Sequence, residues 1–166
     1  TTNSQITVNL GFLDLIWNND STNSLWDGNT SANWTSGAGN TTYFDGDSVT
    51  FSNAGSGTVT LSKENGTIAP GKVIFDNALT SSYSINAMTS ETLTVAPGGG
   101  LQILTNNSSA DITINAELVG GGVVTKGQTV SGASNVGQTI ITGNNVNFSG
   151  TTLINQGDVQ INNVNG

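Results

Sequence analysis

The amino-acid sequence predicts an all-β protein, a right-handed parallel β-helix (β-solenoid) with an aromatic-rich N-terminal cap region. Three observations lead there. Apolar phrases of only three or four residues recur about every eight to ten residues, as the faces of a coil would. The phrases between them, "APGGG", "VGGG", "TGNN" and "INQG", are rich in Gly and Asn and suit corners where the backbone needs φ > 0. Apolar residues also stand beside Ser, Thr and Asn, which can stack into ladders between successive coils. The spacing alone permits a sandwich or a barrel as well. A sandwich, however, would have a poor core with so few aromatics beyond Tyr83.

Taken in order, the first phrase is "LGFLDLIW", Leu10 to Trp17. It is the nearest approach to a helix signal, but its alternating sets Phe12/Asp14/Ile16 and Leu13/Leu15/Trp17 suit a strand. Residues 1–57 form an N-terminal capping and first-coil region that holds all three Trp and five of the eleven acids. Bulky aromatics suit that place, because an open solenoid end exposes strand edges and core. Residues 58–166 form the β-helix coils. Their strands read "TVTL", "KVIF", "YSIN", "TLTVA", "LQILT", "DITINAEL", "GVVTK", "TIITG", "VNFSG", "TTLIN" and "DVQIN".

Composition supports an extended β architecture with a thin core. Hydrophobic residues make up 34% and charged residues 8%, against roughly 45–50% and about 25% in an average domain. Disordered chains are charged and poor in β-branched residues, whereas Val, Ile and Thr recur here and Pro occurs twice. With no Cys and no His, a disulfide framework, a thiolate zinc site, a Cys nucleophile and a Ser–His–Asp triad are excluded. Three Lys against eleven acids give a net charge of −8. That excludes nucleic acid as a partner and opposes binding to anionic lipid. No apolar run nears the ~20 residues of a membrane-spanning helix, and no secretory leader is visible. The chain reads as a fragment of a longer protein.

The stretch "GQTIITGNNVNFSGTTLINQGDVQINN" resembles the autotransporter-associated β-strand repeat of bacterial surface proteins. Thr139–Ile141 fills its first strand, Gly143–Asn145 its corner and Phe148–Gly150 its aromatic turn. Thr151 to Ile154, Gly157 and the strand from Val159 to Ile161 complete it. The preceding "LIWNN…LWDGNTSANWTSG…TTYFDGDSVTFSNAGSGTVTLS…IAPGKVIFDN" is similar to the segment that often leads into such repeats. The resemblance implies an autotransporter passenger on the bacterial cell surface, tethered to the outer membrane through a C-terminal barrel outside this sequence. It implies a role in adhesion, self-association, aggregation or biofilm formation. The partner would be a host or matrix glycan or protein, or another copy on a neighbouring cell. The alternatives are a carbohydrate-active β-helix enzyme hydrolysing a neutral polysaccharide, and a passive structural stalk.

No cofactor and no catalysis are expected. Asp45 and Asp47 in "YFDGDSVTF" would share one face of a strand, and glycosidases use two such carboxylates. "DGD" reads more simply as a turn whose Asp side chains support their own backbone. The pair is also a weak calcium candidate, without a calcium-loop motif around it. A lyase acting on acidic sugar needs positive charge, and Lys63, Lys72 and Lys126 are its only sources. Trp17, Trp26, Trp34 and Tyr43 are candidates for glycan contact as well as for the cap. Asn106 and Asn107, with Asn144, Asn145 and Asn155, are candidate polar contacts, although Asn144 and Asn145 also suit left-handed corner geometry.

Overall fold

A computed structural model describes residues 11–63, 66–106, 109–127 and 137–162. Among them there is no helix, and the strands stack into a three-sided solenoid. The first coil contributes β1 (Asp14–Trp17) and β2 (Leu25–Asp27), followed by a hairpin of β3 (Trp34–Ser36) and β4 (Gly39–Thr41). Three complete coils follow. They are β5 (Ser48–Phe51), β6 (Gly57–Ser62) and β7 (Thr67–Ile68); then β8 (Lys72–Phe75), β9 (Tyr83–Ala87) and β10 (Thr92–Thr94); then β11 (Leu101–Ile103), β12 (Ile112–Ile114) and β13 (Glu117–Val119). The next coil has β14 (Val123–Lys126) and β15 (Thr139–Ile141), and its third side is a single parallel bridge between Gly120 and Phe148. Strands β16 (Thr151–Ile154) and β17 (Val159–Ile161) end the described stack.

Every coil-to-coil pairing is parallel and in register. Alternation along each strand then sorts the sequence into columns, because residues two apart share a face. On the first sheet, Val49, Val73, Leu101 and Val124 form one inward column, and Phe51, Phe75, Ile103 and Lys126 form the next. On the second, Val59, Ile85, Ile114 and Ile141 point inward; on the third, Ile68, Leu93 and Leu118 do. The interior is one residue deep from each side, so 34% apolar residues suffice to fill it. Phe51 and Phe75 lie stacked at 4.8 Å with an interplanar angle of 16°, the spacing that neighbouring strands impose.

Corners explain the glycines. A Cβ on Gly99 would stand 1.8 Å from the Gly71 carbonyl oxygen, and one on Gly150 would stand 1.9 Å from that of Gly122. Coils approach there too closely for any side chain. The corner geometry anticipated for Asn144 and Asn145 is corrected. The described non-glycine residues with left-handed φ are Asn19, Thr22, Ser24 and Asn29, all in the first coil. Asn145 instead braces two coils: its side chain accepts from the Leu118 N–H (2.7 Å) and donates to the Gly143 carbonyl (2.7 Å).

The N-terminal end is closed by the hairpin. Strand β3 pairs antiparallel with β1, placing Trp34 opposite Trp17, and β4 lies outside it. Buried Asn33, just before β3, takes the Ser21 N–H and donates to Asn23 Oδ1 and the Leu25 carbonyl, fixing the loop that delivers Trp26. The composition change at residue 57 does not mark a break in the stack, for β6 starts there inside the coil that β5 opens.

Candidate functional site

The outer faces of the coils carry the repeated chemistry. On the second sheet, Thr58, Ser84, Thr113, Ile140 and Gln160 form one outward column. Beside it Thr60 is in register with Asn86, and the column continues through Asn115 and Thr142 by side-chain bonds. Asn115 Nδ2 donates to Asn86 Oδ1 (2.6 Å), and Thr142 Oγ1 donates to Asn115 Oδ1 (2.6 Å). Ser84 joins the same network through Asn86 (3.2 Å) and Asn115 (3.3 Å). On the third sheet the hydroxyls of Thr67 and Thr92 meet at 3.0 Å, and Asn147 Nδ2 donates to Glu117 Oε1 (2.8 Å). These groups fix one another's rotamers while amides and hydroxyls keep spare donors and acceptors toward solvent.

Asn106 is exposed and its backbone N–H donates to the Asn77 carbonyl (3.3 Å); Asn107 lies outside the described residues. Asn155 is exposed next to β16, with its N–H on the Lys126 carbonyl (2.9 Å).

The aromatic candidates for glycan contact are corrected. Trp17, Trp26, Trp34 and Tyr43 are all 0% exposed, so none presents a ring face to a ligand. They pack on one another and on Phe51, with centroids 5.0 to 6.0 Å apart in edge-on and tilted pairs. The physical reason is the hairpin: pairing β3 with β1 turns Trp17 and Trp34 into the solenoid end, where they cover the core. The price is three indole N–H groups buried without a partner.

Asp45 and Asp47, the weak calcium candidates, are held by donors from the protein itself. Asp47 is 3% exposed. Its Oδ1 takes the Leu13 N–H (2.8 Å) and its Oδ2 the Phe44 N–H (2.9 Å). Asp45 takes the Tyr43 hydroxyl (3.1 Å) and the Ala69 N–H (3.0 Å) on Oδ1, and pairs with Lys63 through Oδ2. Burial acts to raise the Asp45 pKa, but the Lys63 hydrogen bond and charge, with the Ala69 and Tyr43 donors, outweigh it and hold the carboxyl below its ordinary range. Burial, then the Asp45 charge, push the Tyr43 hydroxyl far up. Among the described residues no three acidic side chains gather as a metal cage.

Two features went unread in the sequence. Phe12 and Phe44 are 70% and 52% exposed and, with Leu13, line a cleft of about 390 Å³ beside Asp45 and Asp47. Lys126 is 0% exposed, donating to Thr105 Oγ1 (3.2 Å) and the Gly137 carbonyl (2.7 Å). Its signal was present, since the alternation of "VVTK" puts Lys126 on the face of Val124. For Phe12 the alternation of "LGFLDLIW" puts it on the face of Asp14, away from Trp17, whereas nothing in the sequence marks Phe44 as exposed. No family model matches this chain, and no curated protein or solved structure is significantly similar to it.

Proposed function

We propose that this chain is a segment of a bacterial surface passenger of the autotransporter type, without enzymatic activity. It acts in adhesion, self-association or biofilm formation through an outer solenoid face. The observation that carries the reading is the interlocked column of Ser84, Asn86, Asn115 and Thr142. A ligand or a second copy meeting that column finds polar groups whose rotamers are already fixed, so little ordering entropy is lost on contact. Each contact is weak, and copies side by side on a cell supply the avidity. The likeness of residues 137–163 to the autotransporter repeat and the stacked parallel coils support display at the cell surface, with a matrix glycan, a matrix protein or another copy as partner.

The test coats beads with the chain and scores clumping and retention on immobilised matrix proteins and glycans. The expected result is clumping or retention that falls roughly tenfold or more when Asn86→Asp and Asn115→Asp are combined, with the β circular-dichroism signature intact. Beads that neither clump nor bind, or binding indifferent to the double substitution, would remove the reading.

A further inference from the structure

The cleft beside the N-terminal cap is built by a nearly buried carboxylate that lines it but spends both oxygens on the backbone. Asp47 is buried, and its two oxygens hold the N–H of Leu13 and the N–H of Phe44. One side chain thereby fixes two distant chain segments, each carrying an exposed phenylalanine. A second device fixes the ring of Phe12. Gly46, at φ 97°, lies beneath it, and a Cβ there would stand 2.1 Å from Phe12 Cε1. The turn itself closes through the Asp47 N–H on the Phe44 carbonyl (3.1 Å). Exposed apolar side chains are ordinary when scattered. Here Phe12, Leu13 and Phe44 instead converge on one cleft of about 390 Å³, within the size range of small-ligand sites.

The polar margin narrows the ligand class. Asp45 lines the cleft and is paired with Lys63, and both side chains remain partly exposed, at 42% and 27%. The pair offers an acceptor next to a three-fold donor, which is what two neighbouring hydroxyl groups need. A wholly apolar ligand would strip water from this pair without replacing its hydrogen bonds. An anionic ligand would approach two carboxylates on a chain of net charge −8. A neutral sugar ring has the remaining combination, C–H faces for the phenylalanines and hydroxyls for the charged pair.

We propose that the cleft between Phe12 and Phe44 binds a neutral pyranose unit of an oligosaccharide, with the rings on its C–H faces and the Asp45–Lys63 pair on its hydroxyls. Asp47 is a positioning residue that acts through Leu13 and Phe44. The site is separate from the polar column of the second sheet and does not depend on the adhesion reading.

The test titrates the full chain with neutral gluco-, xylo-, manno- and galacto-oligosaccharides, following the Phe12 and Phe44 ring resonances by NMR. At least one member is expected to bind with a dissociation constant of about 1 mM or tighter. Phe12→Ala and Phe44→Ala each weaken it roughly tenfold or more, and Asp45→Asn weakens it as well. Val146→Ala, an exposed apolar site elsewhere, and Asn115→Asp on the polar column leave it unchanged. No binding across the panel at about 10 mM, binding that survives the double phenylalanine variant, or tighter binding of an acidic oligosaccharide overturns the proposal. Loss of protein–protein association in the phenylalanine variants, without any sugar effect, also overturns it and makes the cleft a protein-docking patch.

Discussion

Where Phe51, Phe75 and Ile103 form an inward column, the following coil places Lys126. An ammonium group there loses its water, and burial lowers its pKa to about 8 although Asp111 and Asp158 pull it upward. An unfolded chain keeps that proton up to about pH 10.5. Between pH 8 and 10.5 the unfolded state therefore binds more protons than the folded one, so this group makes stability rise with pH. Below pH 8 its destabilising effect is fully present. Guanidinium unfolding from pH 7 to pH 10 should show the parent gaining about 2 kcal/mol relative to Lys126→Met across the window. Parallel pH profiles for the two proteins would refute the buried charge. The residue scale is also where the sequence was least legible. Alternation placed Lys126 correctly in the pattern, but a lysine carries no sign that it will be taken inside. Phe44 is hidden in the opposite way, since hydrophobicity alone cannot show that a buried carboxylate three residues along will take its N–H and leave the ring outside.

Among the described strands, antiparallel pairing is confined to the hairpin of β3 and β4, joined by a two-residue loop of Gly37 and Ala38, and to its contact with β1. Its location was foreshadowed by the concentration of Trp in residues 1–57, and "SGAGN" carries the turn chemistry of a hairpin. What the sequence did not disclose is that the hairpin folds back on β1 and covers the free edge of the first sheet. That outcome depends on Trp34 meeting Trp17, Trp26 and Tyr43, four rings brought together from four segments. Trp34→Ala would leave a large cavity in this cluster and should cost about 3–5 kcal/mol. Asn40→Ala on β4, whose exposed side chain takes only an Asn18 amide bond (2.9 Å), should cost about 0.5 kcal/mol or less. Denaturant midpoints of the two variants distinguish a cap from an ornament: equal midpoints would mean that the hairpin contributes nothing to closing the end.

At the scale of the whole molecule, the stack behaves as a one-dimensional array in which each coil touches only its neighbours. The parallel architecture was legible because short alternating phrases and Gly/Asn corners recur, and because such a thin interior fits few other folds. The grouping of strands into three sides, and the difference between the two ends, arises from register and was not legible. At the N-terminal end the aromatic cap covers the core. At the other end of the described stack, Thr152 and Ile154 occupy the inward positions that follow Val124 and Lys126. Ile154 is nevertheless 52% exposed, and Ile161 on β17 is 61% exposed. Among the described residues, strands β16 and β17 have a pairing partner on one side only, whereas β8, β9, β11 and β12 are paired on both. Ladder bonds in that last coil are therefore made on one side only, and local opening should start there and run inward. Native-state hydrogen exchange should give the amides of β8, β9, β11 and β12 protection approaching that of global unfolding, and those of β16 and β17 opening free energies lower by about 2 kcal/mol or more. Uniform protection from β5 to β17 would mean that the array unfolds as one cooperative block, and the nearest-neighbour description of this solenoid would fail.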